Sequence, residues 1–465
     1  MQLGDILDDL TLDLATSSLE IFQVDIDSRQ CVAGSLFFAL PGGAANGVHF
    51  ASDAVANGAV CVVASEPILL GVPVLVVPAS QIRALSVYAS ATIVRHPEAR
   101  SQLVGVTGTN GKTTVTTLVG ALARALNWNG ANIGTLTSER TTPAGPELFR
   151  TLAHLVQAFD PKNSKSVIAL EVSSHAIDQG RIEGLEFTIA AFTNLGHDHL
   201  DYHASIEEYY EVKSRLFTVE FAQRAVIWID DPYGARLAAS TSLPVIEVSR
   251  ADASEVVTSL AGATFFWRGH LVNSALVGEF NVDNALLAMT IVSVLGGDDG
   301  AVAAAMGEVR PIPGRFDVLR VRGLTIIVDY AHTPEGLRRL LTDVRAKVTK
   351  ERVITVFGCG GDRDRAKRPE MGAIASSFSD LTIVTSDNPR GESPDAIIDA
   401  IMSGVLPSAT VYRQSDRRLA ITQAIEYATP GDVVVLAGKG HETTQVIGDL
   451  VLPFDDRAVA EEALR

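Results

Sequence analysis

The chain has 465 residues, 47% hydrophobic and 20% charged, with a formal net charge of −17. At roughly 150 residues per domain this length divides into about three domains, and the composition excludes a disordered or fibrous chain. The acidic balance excludes general binding to nucleic acid or anionic lipid, because phosphate contacts need a basic face, so an anionic ligand must be met by local cations.

The first residues, MQLGDILDDLTLDL, carry acids where a secretory signal has basic residues ahead of an apolar stretch, so export is not expected. Cys31, Cys61 and Cys359 are odd in number and widely spaced, which indicates neither a disulfide framework nor a zinc cluster and suits a reducing cytoplasm. The longest apolar runs, such as Val433-Val434-Val435-Leu436-Ala437, are strand-sized, far below the roughly 20 residues of a membrane-spanning helix. Short β-branched runs alternate with helical stretches, the pattern of an α/β protein with mostly parallel sheets. No internal repeat or low-complexity tract stands out. Breaker clusters at Arg95-His96-Pro97 and Pro311-Ile312-Pro313-Gly314 set expected units of residues 1–97, 98–311 and 312–465.

In the middle unit, residues 105–114 read GVTGTNGKTT between an apolar strand at Leu103-Val104 and a helix whose Val115, Leu118, Val119, Leu122 and Leu126 share one face. This is a phosphate-loop setting. Its glycines let successive N–H groups turn toward phosphate oxygens, the helix amino terminus adds partial positive charge, and Lys112 can reach terminal phosphates while Thr113 offers a hydroxyl to Mg²⁺. The strict Walker spacing fails, since Val106 stands where the first glycine is required. A glycine turn that merely caps a helix is the plainer reading, but strand, loop, Gly-Lys-Thr and helix together favour phosphate.

Two further runs, Val167-Ile168-Ala169-Leu170 and Ile189-Ala190-Ala191-Phe192, lead into Glu171-Val172-Ser173-Ser174-His175 and Thr193-Asn194-Leu195. The carboxyl ends of parallel strands share one edge, so Glu171 is expected to face the phosphate loop as a Mg²⁺ ligand rather than as a turn cap. The stretch His197-Asp198-His199-Leu200-Asp201-Tyr202-His203 suggests a dinuclear metallohydrolase motif of the form HxHxDH, but Tyr202 breaks the spacing. One histidine near Mg²⁺ is the more economical reading, with His197 and His203 as surface residues. In the last unit, runs ending at Val328, Phe357, Thr385 and Ala437 precede polar or glycine-rich loops that begin at Asp329, Gly358, Asp387 and Gly438. Four such loops would gather on one edge of a second sheet. Arg363, Arg365, Lys367 and Arg368 form a basic run beside one of them, a pattern that is usually a solvated face.

At these residues the sequence resembles the Mur ligases, from about residue 25 to residue 457. TGTNGKTT marks the wider family, which includes folylpolyglutamate synthetases. EVSSHAIDQGRI, FTNLGHDHLDYH, DYAHTPEGL, GCGGDRDRAKRPEMG, DNPRGE and GKGHE are similar to the branch that adds the third residue of the peptidoglycan stem peptide. The resemblance implies three domains: one for the uridine nucleotide, a central P-loop ATPase-like parallel sheet, and a carboxyl-terminal Rossmann-like domain for the incoming amino acid. It implies an ATP- and Mg²⁺-dependent ligase that adds meso-diaminopimelate to UDP-N-acetylmuramoyl-L-Ala-D-Glu through an acyl phosphate, in the cytoplasm and as a monomer. L-lysine or L-ornithine as the amine, another Mur or folylpolyglutamate ligation, and a non-catalytic nucleotide binder are the alternatives.

Residue by residue, the resemblance assigns ATP to Gly108, Thr109, Asn110, Gly111, Lys112, Thr113 and Thr114, with Asn281 on the adenine side and Arg315 and Asp329 reaching phosphates and ribose. It assigns the muramoyl dipeptide nucleotide to Ser28, His49, Thr141, Thr142, Ser173, Gln179 and Arg181. Lys213 matches a lysine carried as a carbamate, which with Glu171, His199 and Thr113 would hold metal; beside Glu207, Glu208 and Glu211 it also reads as an ordinary surface ion pair. The amino acid falls to Arg363, Asp387, Asn388, Pro389, Arg390, Gly438 and Glu442, where Arg390 can pair with the carboxylate that lysine lacks.

Overall fold

The computed structural model describes residues 1–8, 10–42, 46–138, 140–196, 198–199, 202–348 and 350–464. Its first sheet sets β1 (Gln23–Asp25), β2 (Ser35–Phe38), β3 (Ala59–Ala64) and β4 (Val74–Val76) side by side in chain order, all parallel. The second comprises β5 (Gln102–Thr107), β6 (Asn129–Ile133), β7 (Ser166–Glu171), β8 (Ile189–Phe192), β9 (Ala225–Trp228) and β10 (Val245–Val248). Its strands are again all parallel, in the order β10-β9-β8-β5-β7-β6. An antiparallel ribbon follows, formed by β11 (Ala253–Ser259), β12 (Gly262–Trp267) and β13 (His270–Ser274).

The third large sheet contains β14 (Asp317–Val321), β15 (Leu324–Asp329), β16 (Val353–Phe357), β17 (Leu381–Thr385), β18 (Val411–Gln414) and β19 (Val433–Ala437). Their order is β14-β15-β19-β16-β17-β18, and β14 alone runs antiparallel to its neighbour. A hairpin of β20 (Thr444–Ile447) and β21 (Leu450–Pro453) completes the strands among the described residues. The α/β reading with mostly parallel sheets is therefore met.

Parallel strands covered by helices on both faces bury every side chain, so they read as unbroken apolar runs rather than as alternation. Strands β16, β17 and β19 are of this kind, with no exposed position. On one face of the second sheet, Val115, Leu118, Val119 and Leu122 of the Lys112–Ala125 helix pack with Val104, Val106 and the Glu279–Val294 helix. That second helix is apolar on nearly every side because sheet, ribbon and neighbouring helix enclose it. Leu103, Ile168 and Phe192 turn to the other face and meet Phe149 and Tyr209.

The two breaker clusters lie in irregular backbone, the first just after a helix and the second just before β14. Arg95 and His96 adopt left-handed φ of 62° and 49° after the Ala79–Ile93 helix. Gly314 has φ +66°, and a Cβ there would lie 2.1 Å from the His441 nitrogen, so the chain enters the third sheet pressed against the 438–442 loop. Among the described residues, no helix is long and apolar enough to cross a membrane.

One arginine fastens the first sheet to the second. Arg150, on the Gly145–Ala158 helix, donates to the Val24 carbonyl (2.8 Å), to Asp25 Oδ1 (3.1 Å) and to Gln30 Oε1 (3.1 Å). Asp25 is buried and also accepts from Ser35 and Gln23, so removing Arg150 leaves the carboxylate neutral donors but takes away its cation. Charged hydrogen bonds of this kind contribute about 1.5–3 kcal/mol. Arg150→Ala should therefore speed amide hydrogen exchange in residues 23–38 about tenfold or more and leave 381–437 unchanged; equal exchange in both proteins would contradict the fastening role.

Candidate active site

The carboxyl ends of β5, β7 and β8 meet at one edge of the second sheet, which faces the corresponding edge of the third across a cleft of about 760 Å³. The phosphate loop begins at Gly108 and not earlier, because Val106 belongs to β5 and its side chain is in the core. Gly108 (φ +145°) and Gly111 (φ +88°) are conformationally required. A Cβ on the first would fall 1.9 Å from Thr193 Oγ1, and on the second 2.5 Å from Asn284 Oδ1.

The loop is tied to the residues that follow β8. Thr109 N–H donates to the Asn194 carbonyl (2.8 Å), Asn110 N–H to Asn194 Oδ1 (2.9 Å), and the Thr193 hydroxyl to the Asn110 carbonyl (2.6 Å). Gly196 N–H reaches Thr109 Oγ1 at 2.9 Å. An anion arriving at the helix terminus meets a shape already made. Thr113 and Thr114 lie in the helix's first turn, lining the cleft. Lys112 folds back, donating to the Gly108 (2.9 Å) and Thr109 (2.8 Å) carbonyls. Burial lowers its pKa, while the charges of Glu171 and Asp198 oppose that shift.

Glu171 closes β7 and is buried. Its Oε1 accepts from Thr135 N–H (2.8 Å), and its Oε2 from the hydroxyls of Thr113 (3.0 Å) and Thr135 (3.2 Å). The Thr113 hydroxyl also accepts from Arg315 Nη2 at 3.0 Å, so one small side chain joins the phosphate-loop helix, β7 and the segment entering the third sheet. Arg315 further lies over the Tyr330 ring, 4.6 Å from its centroid. Asp329, at the end of β15, accepts from Phe316 N–H (2.7 Å) and Ala331 N–H (2.8 Å) and lines the same cleft. Burial raises its pKa, and Arg315 pulls against that.

Asn281 sits one layer behind the cleft wall. Its amide donates to the Val277 carbonyl (2.7 Å), and its oxygen accepts from Asn284 (3.1 Å), which is the residue at the cleft. The spacing of three along GEFNVDN puts both on one helical face, a signal that the sequence reading left unused.

His199 has a left-handed backbone (φ 55°) and lines the cleft with Nε2 3.6 Å from Asp198 Oδ2. Burial lowers its pKa to about 4 against the opposing charge of Asp198, so the ring is a neutral potential ligand near pH 7. His197, Leu200 and Asp201 of the same motif lie outside the described residues. The surface expectation for His203 is corrected: it is 1% exposed, its Nε2 is 3.0 Å from Ser174 Oγ, and its ring packs on Tyr209. The Ser174–Asp178 helix, through the Ser174 hydroxyl, and the Ile206–Ser214 helix, through the Tyr209 ring, enclose the imidazole and account for the difference. Among the described residues, no group of three or more His, Cys, Asp or Glu is placed to hold a metal.

Lys213 is not a surface ion pair either. It is 1% exposed and donates to the Gly108 carbonyl at 2.9 Å, while Glu207 pairs with Arg236 and Glu208 accepts from Ala204 N–H. Burial, then the charge of Lys112, holds its ammonium well below the usual lysine range, with Asp198 opposing. Thr113 and Glu171 supply oxygen donors 3.0 Å apart beside the loop, which suits a hard cation such as Mg²⁺.

A smaller cavity of about 220 Å³ lies where the first sheet's loops meet the second unit, lined by Gln179, Arg181, Arg83 and Arg140 among others. Arg181 donates to Gln179 Oε1 (2.6 Å) and to the Thr142 carbonyl (2.9 Å), and the Thr142 hydroxyl donates to the Glu171 carbonyl (2.8 Å) and lies 3.2 Å from Ser173 Oγ. Thr141 accepts from Thr135 Oγ1 at 3.2 Å on the cleft side. These five residues thus form a path from small cavity to cleft. Ser28 and His49 lie apart from that cavity's lining, the first buried in the Ser28–Gln30 turn, the second exposed in the Gly47–Phe50 turn.

The loops after β16, β17 and β19 cluster as expected. Asn388 donates to Glu442 Oε2 (2.8 Å), Lys439 donates to the same oxygen (3.0 Å), and Val446 N–H donates to Asn388 Oδ1 (3.0 Å). Arg390 follows the buried Pro389 and donates to the Gly361 carbonyl at 2.9 Å. Gly438 (φ +115°) lies against Asp387, whose pKa is raised by burial with Arg417 and Lys439 opposing. Arg363 is exposed at the edge. The basic run beside it is only partly a solvated face, since Arg368 is buried against Glu392 at 2.9 Å.

Profiles of three families match: the Mur ligase family catalytic domain over residues 20–105, the Mur ligase middle domain over 106–292, and the Mur ligase glutamate ligase domain over 314–440. A UDP-N-acetylmuramoyl-L-alanyl-D-glutamate–2,6-diaminopimelate ligase of Geobacillus kaustophilus is 41% identical, covering 96% of this chain and 95% of its own. One of Gloeobacter violaceus is 42% identical, covering 96% and 94%. A solved structure of a ligase of that name superposes with TM-score 0.68 at 30% identity, covering 100% of this chain and 98% of the other. MurF ligase from Thermotoga maritima, solved in complex with ADP, shares the fold with TM-score 0.65 at 18% identity, covering 95% and 96%.

Two cleft-lining imidazoles, His199 and His332, and a third, His441, packed on Tyr330 beside them, have pKa values depressed by burial: His199 and His441 to about 4, and His332 below its ordinary 6.5. In the folded protein they stay neutral while the unfolded chain takes up protons below pH 6.5, so stability present above that pH is lost as it falls toward 4. His441→Gln should make the decline of Tm between pH 6.5 and 4 shallower than in the parent; parallel curves would refute this origin.

Proposed function

Since the chain belongs to the Mur ligase family, we propose that it uses ATP to join meso-diaminopimelate to UDP-N-acetylmuramoyl-L-Ala-D-Glu in peptidoglycan precursor synthesis, as a cytoplasmic monomer. The observation that carries this reading is the contact of Arg315 with Thr113. It sets the loop after β15, residues 329–333, across the cleft from the phosphate loop, with the 438–442 loop packed behind it through His441 on Tyr330, so a nucleotide and a carboxylate in the cleft border the loops offered to the amine.

The carboxylate side chain of D-glutamate attacks the γ-phosphorus of ATP, and ADP leaves. The amine then attacks the acyl phosphate, which loses inorganic phosphate and a proton as the amide forms. The 108–114 loop holds the phosphates on its N–H groups, and Lys112 exchanges its two carbonyl acceptors for phosphate oxygens as charge develops. Arg315 adds a second cation from the opposite wall, and Asn284, backed by Asn281, borders the nucleotide. Thr113 and Glu171, with His199 on the same cleft, would hold Mg²⁺, which would supply charge neutralisation at the transferring group.

Burial and the charge of Lys112 disfavour the Lys213 ammonium, and its deprotonated amine is the form that takes up CO₂ as a carbamate, releasing a proton. Thr141, Thr142, Ser173, Gln179 and Arg181 receive the dipeptide from a nucleotide held near Ser28 and His49. Arg390 and Arg363 meet the distal carboxylate of the diamino acid, and Glu442 accepts from its ammonium. Positioning and charge neutralisation dominate, and no dedicated general base is required.

An assay with ATP, Mg²⁺ and the dipeptide nucleotide should yield ADP and product with meso-diaminopimelate. L-lysine and L-ornithine should react about tenfold less well or worse, because leaving Arg390 unpaired costs roughly 1–3 kcal/mol. No product with any of the three amines would overturn the reading, and equal rates with lysine would overturn the amine assignment. Lys112→Ala should lower substrate-dependent phosphate release at least about a hundredfold; undiminished release would remove Lys112 from the site.

A further inference from the structure

Arg417 and Asp456 form an ion pair in which both side chains are 0% exposed. Arg417 donates from Nε to Asp456 Oδ1 (2.7 Å) and from Nη2 to Oδ2 (2.6 Å), a bidentate fit. Its remaining donors leave the pair: Nη1 reaches the Ser386 carbonyl (3.3 Å) and Nη2 the Ala437 carbonyl (3.1 Å). Ser386 immediately precedes the 387–390 loop and Ala437 the 438–442 loop, the two that share Asn388, Lys439 and Glu442.

Strands β17 and β19 are not neighbours, because β16 lies between them. No ladder hydrogen bond sets the distance between their ends, and Arg417 spans that gap. Arg417 opens the Arg417–Tyr427 helix, where the macrodipole disfavours a cation, and Asp456 opens the Asp456–Ala463 helix. A buried ion pair is seldom the most stable filling for such a site, since apolar residues of similar volume do as well or better. Its directed donors to two loop-flanking carbonyls are what an apolar filling lacks.

We propose that Arg417, held by Asp456, is a positioning residue for the incoming amino acid: it sets the separation of the 387–390 and 438–442 loops and makes the last helix part of amine recognition. This rests on the reading that those loops receive the amine. The test compares the full-length parent with Arg417→Lys, Arg417→Met, Asp456→Asn and the double variant Arg417→Met with Asp456→Leu, each of the three substrates being varied in turn. The double variant fills the site with apolar groups, so the fold survives even where a single substitution leaves a charge stranded.

The expected result is a KM for the amine raised tenfold or more in the double variant at a parental Tm. KM for ATP and for the dipeptide nucleotide should stay within twofold, and Arg417→Lys should recover part of the loss. A double variant with parental Tm and parental KM for the amine would overturn the proposal, as would equal rises in all three KM values. A parent that ligates no amine would instead overturn the functional reading on which it rests.

Discussion

A single threonine hydroxyl carries the constraint on which the site depends. Thr113 Oγ1 gives its proton to Glu171 and takes one from Arg315, each at 3.0 Å, so its proton and one of its two lone pairs are committed to partners of opposite charge and one lone pair stays open. One partner ends a strand of the second sheet and the other enters the third. Separation of those two bodies breaks the Arg315 contact and widens the cleft; their approach reforms it. The phosphate loop, the carboxylate beside it and the cation opposite are thereby held in one frame, which suits phosphoryl transfer, where catalysis is mostly positioning and charge neutralisation.

The charge balance gives that frame its selectivity. In a chain of net charge −17, anions are repelled in general and admitted only where a cation is locally fixed. Locally fixed cations stand at three places: Lys112 and Arg315 at the 108–114 loop, Arg181 beside the small cavity, and Arg390 in the third sheet's loops. Each is anchored by carbonyls or side-chain oxygens rather than swinging in solvent, so little rotamer entropy remains to be lost when a ligand arrives.

Much of this arrangement was legible in the sequence because parallel strands leave a plain trace. Runs ending at Leu170, Phe192 and Ala437 are continuously apolar and those ending at Phe357 and Thr385 are apolar but for threonines, and the polar residues after each must share an edge. What was not legible depends on packing in three dimensions. Nothing in HDHLDYH says that His203 turns inward against Ser174 while His199 faces the cleft. Lys213 among three glutamates looks solvated until the Gly108 carbonyl is found over it. Arg150 and Asp25, or Arg417 and Asp456, are far apart in the chain and belong to no motif. Their partners are set by how helices cross sheets, which hydrophobic period alone does not specify.

The central claim is that the cleft makes an acyl phosphate before the amine attacks, and oxygen tracing tests it most directly. With ¹⁸O in the D-glutamate side-chain carboxylate, one labelled oxygen becomes the bridge of the acyl phosphate and departs with phosphorus. Mass spectrometry of the inorganic phosphate should therefore show a single ¹⁸O per turnover when ATP, the dipeptide nucleotide and meso-diaminopimelate are all present. Unlabelled phosphate, with one heavy atom in the amide and the other lost to water, would contradict it.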